Sequence, residues 1–192
     1  LACAERGFEA RLRDPRTGRV YLQLTADGAP ANELTALSAV PILLGVDRHV
    51  TAADAVVEAL SSPDFAPGWG VRMMPRGDAR YRARGYHFGA VWPLFTGWTS
   101  LAAFARSRAD VGWRLLASVA DCAFARERGA FDEVLDGDIG GAAGICPDQA
   151  WSAAMAISPF IHGMLAIRPT AADGRCSLDP QWPREWREAR VE

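Results

Sequence analysis

Asp132, Glu133, Asp136 and Asp138 place four carboxylates within eight residues. A glycine- and alanine-rich loop follows and ends on Cys146-Pro147-Asp148-Gln149-Ala150-Trp151, which reads as the first turn of a helix. Two chemistries are open for the carboxylates. A local acidic run is often just a solvated loop. It is also what glycoside hydrolysis needs, because that reaction takes two carboxyl groups flanking a sugar bond, one as acid and one as base or nucleophile. A second cluster, Tyr86, His87, Trp92 and Trp98, surrounds the start of a long apolar run. Aromatic faces stack on sugar rings, and imidazole bonds hydroxyls. Phe95 and Trp98 read as core filler. Tyr86 and His87 precede the helix on a loop where nothing forces burial, so they are the stronger pocket candidates. Gln149 and Trp151 begin the later helix, where Trp151 is either core or a pocket wall.

Other candidates read more simply. His162 lies among Phe160, Ile161 and Met164 and is expected in the core. Glu33 suits a helix N-terminus better than a second catalytic carboxylate. Cysteines 3, 122, 146 and 176 form no CxxC pair and have no histidine at zinc spacing, so neither a metal nor a cofactor is expected. They read as free thiols of a reducing compartment, and a cytoplasmic protein is expected. The net charge of −2 gives no reason to expect nucleic-acid binding. No run is apolar and long enough for a membrane helix, and no signal peptide is visible. All 21 basic residues are arginine, which fits a GC-rich coding sequence.

These residues need elements to hold them. The run before Glu9 reads as the end of a helix, and residues 9–24 alternate around Asp14-Pro15-Arg16-Thr17-Gly18 as a hairpin or extended loop. Residues 33–46 have helical spacing, with Asn32 as N-cap, Gly45 near the stop and Pro41 as a kink or split. Residues 51–62 form a helix capped by Thr51. Residues 63–88 are an irregular, proline- and glycine-rich stretch of the length that usually carries function. Helices are expected over 89–107, 109–129 with Gly129 as terminator, and 148–167. The first and last of these are apolar nearly all round and should be buried on both sides. Buried inner helices wrapped by amphipathic outer ones make an α/α barrel, whose long loops gather at one end and build the site.

Three runs carry a resemblance. Gly68-Trp69-Gly70-Val71-Arg72-Met73-Met74 is followed by Tyr86-His87-Phe88-Gly89-Ala90-Val91-Trp92-Pro93, and later by Cys146-Pro147-Asp148-Gln149-Ala150-Trp151-Ser152 at a matching distance from Glu133. Over about residues 8 to 169 the chain resembles the amylo-α-1,6-glucosidase half of glycogen debranching enzymes and related bacterial six-hairpin glycosidases. The resemblance implies the C-terminal half of an (α/α)6 barrel over residues 1–167. It also implies inverting hydrolysis of glucosidic bonds in glycogen-type or oligosaccharide substrates. Glu133 would be the general base, and the general acid would lie in the missing N-terminal half-barrel. Trp69, Trp92 and Trp151 would face the sugar, Tyr86, His87 and Gln149 would hold its hydroxyls, and Asp136 would join them.

The acidic run reads Asp-Glu-Val-Leu-Asp-Gly rather than Pro-Glu-Leu-Thr-Asn, a departure shared with bacterial relatives that act on diverse sugars. A rhamnosidase-like or mannosylglycerate-type hydrolase, or a non-catalytic carbohydrate-binding half-barrel, are the rival readings. Residues 168–192 look like a linker and the opening strands of a C-terminal β module. With a start at Leu1, both ends look cut, and we expect a piece of a longer protein.

Overall fold

The computed structural model describes residues 2–46, 49–125 and 127–190. Among them the helices are α1 Ala2–Leu12, α2 Val40–Leu43, α3 Val50–Leu60, α4 Pro93–Ala105, α5 Ala109–Cys122 and α6 Ala150–Ser158. Two antiparallel hairpins join them: β1 Gln23–Leu24 with β2 Pro30–Ala31, and β3 Arg168–Thr170 with β4 Arg175–Ser177.

The hairpin expected over residues 9–24 is shortened at its start, because α1 continues to Leu12; its turn falls at Asp14–Gly18 as read, closed by an antiparallel bridge between Arg13 and Val20. Asp14 organises that turn. Its carboxylate accepts from the Arg16 N–H, the Thr17 hydroxyl and the Asn32 amide. Asn32 is therefore engaged elsewhere. The expected helix entry falls at Thr35, followed by a 3-10 turn Ala36–Ala39 and then α2. Pro41 sits in the first turn of α2, where an N–H has no intrahelical partner to lose. Glu33 lies outside this helix and pairs with Arg80 at 3.0 Å, so it does not serve the helix dipole. The N-cap residue of α3 is His49, and Thr51 lies inside the helix rather than capping it.

α4 is the buried spine. It starts at Pro93, because residues 89–92 are drawn out into backbone pairing with other segments. Phe95, Thr96, Gly97, Thr99, Ser100, Ala102, Ala103 and Phe104 are all buried, so nearly every side of the helix is covered. Its hydroxyls are satisfied as buried polar groups must be. Thr96 and Thr99 donate to the Trp92 and Phe95 carbonyls, and Ser100 donates to the Gly112 carbonyl of α5. Gly97 admits α6 closely, since a Cβ there would stand 2.5 Å from Met155.

α5 backs α4 with Leu115, Leu116 and Val119 turned inward. It stops at Cys122, so Gly129 is a loop residue and not its terminator. α6 widens into a π-helical turn, Pro159–Met164, because Pro159 lacks the N–H that would continue the α ladder.

The expectation that 148–167 is buried on both sides fails. Within α6 only Ser152 and Met155 are buried, while Trp151, Ala154, Ile157 and Phe160 form an exposed apolar stripe at a spacing of three. An all-apolar helix reports a need for burial, and among the described residues no element covers this face. His162, expected in the core, is exposed.

After the exposed β3–β4 hairpin the chain returns to the helices. The Gln181 N–H donates to the Met164 carbonyl at 2.7 Å, and Trp182 and Trp186 pack on Phe104, Leu116 and Met164. Among the described residues no helix is long and apolar enough to cross a membrane.

Candidate active site

Four extended segments meet at the N-terminal end of α4. Antiparallel bridges join Arg72 to Val91, Val91 to Leu135, and Leu135 to Ala142. Val91 and Leu135 exchange both backbone hydrogen bonds, at 2.9 and 2.8 Å, and the Glu133 N–H donates to the Cys146 carbonyl at 2.8 Å. The ladder is tied to the helix where the Val71 N–H donates to the Thr96 hydroxyl at 2.8 Å. Both long loops are thus anchored on a rigid element, as a precise site requires.

Glu133 is 5 % exposed. The Tyr86 hydroxyl donates to its Oε1 at 2.7 Å. Oε2 makes no hydrogen bond among the described residues. Donation to Glu133, helped by burial, pushes the Tyr86 phenol up to about 12, so it keeps its proton at neutral pH. The carboxylate therefore has one oxygen bonded and one without a hydrogen bond among the described residues.

The other expected residues fall in different places. His87 is exposed beside Tyr86, with ring centroids 4.7 Å apart. Trp92 is 4 % exposed. Its indole N–H donates to the Tyr86 carbonyl at 2.9 Å and its ring packs on Tyr86 and Phe95, so it backs the site from the core and offers no face to a sugar. Gln149 is the N-cap residue of α6; its backbone N–H donates to Phe131 and its side chain to Cys146 Sγ at 3.7 Å. Trp151 is 43 % exposed at the start of the bare α6 stripe. Asp136 is buried and shapes its own loop, accepting from the Asp138 and Ile139 N–H groups and pairing with Arg84 at 3.4 Å.

Trp69 donates its indole N–H to the Asp136 carbonyl and lines a cleft of about 370 Å³ together with Asp132, Asp121, Cys122 and Ser118. Neighbours in sequence thus part: Asp132 borders this cleft and Glu133 does not. Burial, and then the Asp121 and Asp132 carboxylates, push the Cys122 thiol up to about 11, which keeps it unreactive at neutral pH.

Arg72 went unread in the sequence. It is buried, and its guanidinium donates to the carbonyls of Gly137, Pro63 and Asp64 at 2.9, 3.0 and 2.9 Å. A charge inside the apolar run Val71–Met74 was the available signal. Tyr81 closes the same corner, donating to Asp138 at 2.9 Å. Gly137 is confined there, because a Cβ would collide with the Gly89 carbonyl and the Tyr81 hydroxyl.

Known structures share this architecture. A GH63 mannosylglycerate hydrolase from Thermus thermophilus in complex with glucose is 22% identical, with a TM-score of 0.64 over 81% of this chain and 38% of its own. The same enzyme with Tris and D-glycerate gives 21% identity and a TM-score of 0.60, over 81% of this chain and 36% of its own. A structure described as a sialidase is 20% identical with a TM-score of 0.77, covering 96% of this chain and 18% of its own. This chain therefore spans well under half of each. At these identities the likeness shows the fold, that of the α/α-barrel glycosidases. No curated protein sequence matches this one. Residues 2–152, which hold the ladder, Glu133, Tyr86 and the start of α6, match the family model described as the mannosylglycerate hydrolase MGH1-like glycoside hydrolase domain, and the chain belongs to that family.

Proposed function

We propose that this chain supplies the general-base side of an inverting glycoside hydrolase. The observation that carries the reading is Glu133: buried, bonded at Oε1 to the Tyr86 hydroxyl and without a hydrogen bond at Oε2 among the described residues. Oε2 takes a proton from water as the water oxygen bonds to the anomeric carbon. A carboxylic acid on the other half of the barrel protonates the leaving oxygen as its bond to that carbon breaks, and the configuration inverts. The two carboxyl groups then stand about 6.5–9.5 Å apart, with room for the water between them. His87, Gln149 and Trp151 contact the sugar, Asp136 holds the loop that carries Glu133, and Trp69 lines the neighbouring cleft. Family membership supports a small mannosylglycerate-type glycoside as the substrate. The Tyr86–Pro93 and Cys146–Ser152 runs keep an amylo-α-1,6-glucosidase-like activity as the second reading.

The test is Glu133→Gln in the protein as its native gene encodes it. Turnover should fall about 10²–10⁴-fold, the contribution of a general base. Activity within about tenfold of wild type would overturn the assignment. An intact mass several times 20.7 kDa for that gene product would supply the second half-barrel, and a mass near 20.7 kDa would remove it. A panel of mannosylglycerate, an α-1,6-branched maltooligosaccharide and a rhamnoside then separates the substrate readings.

A further inference from the structure

We infer that Tyr86 is a positioning residue for Glu133 and not a contact to the sugar: it holds one carboxylate oxygen so that the other alone meets the attacking water. The inference rests on the general-base reading above and gives Tyr86 a role different from the hydroxyl-holding one expected from sequence.

Three observations carry it. First, a phenol has one proton to donate, and Tyr86 gives it to Glu133 Oε1 at 2.7 Å. None remains to donate to a substrate hydroxyl. Second, Tyr86 is itself held. The Trp92 indole donates to its carbonyl at 2.9 Å, and the two rings meet edge-on with centroids 4.4 Å apart. Trp92 is buried and is the N-cap residue of α4, so the phenol is referred to the most rigid element of the fold. Third, the Glu133 backbone is fixed by its own bond to Cys146 and by the adjoining Val91–Leu135 pair. With both backbones fixed, the hydrogen bond restrains the side-chain torsions of Glu133, rotation of its two oxygens included. Oε2 then has one direction, and a base held in one direction needs no search at the moment of attack.

Glu133→Gln, Tyr86→Phe and Trp92→Phe form the test, made in the protein as its native gene encodes it and assayed on mannosylglycerate and on an α-1,6-branched maltooligosaccharide. Melting temperature is followed for each. The expected pattern is loss of turnover in Glu133→Gln, and in Tyr86→Phe a kcat lower by about 10- to 100-fold with KM within about threefold, the scale of one charge-assisted hydrogen bond. Trp92→Phe keeps most of the ring and removes the indole N–H. It should lower kcat in the same sense by a smaller factor, which keeps the idea testable where Tyr86→Phe folds poorly. If Glu133→Gln is inactive while Tyr86→Phe raises KM at unchanged kcat, Tyr86 touches the sugar and the positioning role is overturned, with the base assignment standing. Unchanged kcat in both Tyr86→Phe and Trp92→Phe overturns it likewise. If Glu133→Gln stays active, both readings fall together.

Discussion

At the N-terminal end of α4 the polar groups are matched and the apolar ones covered; along the outer face of α6 the apolar side chains stand in the open. Thr96, Thr99, Ser100 and Arg72 all bond within the fold around α4. Ile157, near the C-terminal end of α6, is 60 % exposed. Both helices were expected to be buried on both sides, with Trp151 as core or as a pocket wall. The comparison shows that Glu133 and Tyr86 are held by hydrogen bonds within this chain, whereas Trp151 starts a face that the described residues leave exposed.

The contrast can be broken by truncation. Phe104→Ala, at the seam of α4, α5 and the π-helical turn, should destabilise the fold by about 3–5 kcal/mol in a denaturant titration. A loss near zero would mean that the α4 region is no better packed than the α6 face.

The Asp14 turn adds a pH signature on the satisfied side. The Arg16 N–H, followed by the Thr17 hydroxyl and the Arg16 charge, holds this carboxyl below its ordinary value of 3.8. A depressed folded value contributes stability above the unfolded value and loses it as pH falls through the folded one. Asp14→Asn should therefore melt below wild type at neutral pH, and the gap should close as pH falls below 3.8. A gap independent of pH would show that the bonds do not depend on the charge.

The smallest effect belongs to the open face. Ile157→Ser should leave stability within about 0.5 kcal/mol of wild type, as surface changes do, while light scattering shows less aggregation. A marked loss of stability instead would mean that the face is already covered in solution.

Much of the helical frame was legible because apolar periodicity is a local signal. α4 declared itself as an apolar run, and α5 as an amphipathic one. The caps were harder: Asn32 and Thr51 have capping side chains, but Asp14 had claimed the first and the backbone turned at His49 before the second. Glu133 and Tyr86 were both visible as candidates, yet their bond was not. They lie 47 residues apart and meet through a ladder of single bridges too short to show a two-residue alternation. Trp92 misled because an aromatic residue at a loop–helix junction looks the same in sequence whether it faces ligand or core. The bare α6 stripe was unreadable for a different reason: composition states that a face wants a neighbour, never that the neighbour is present.

Arg72 has a further consequence. One guanidinium bonds carbonyls at Pro63, Asp64 and Gly137, so the loop before α4 and the loop before α6 share a fastener. Opening of the loop before α6 would strand the Gly137 carbonyl, and displacement of Arg72 from the loop before α4 would strand all three carbonyls. The two loops should then open as one cooperative unit, with the amides of Val91, Leu135 and Gly137 exchanging their hydrogens at a common free energy rather than at rates set by their separate depths.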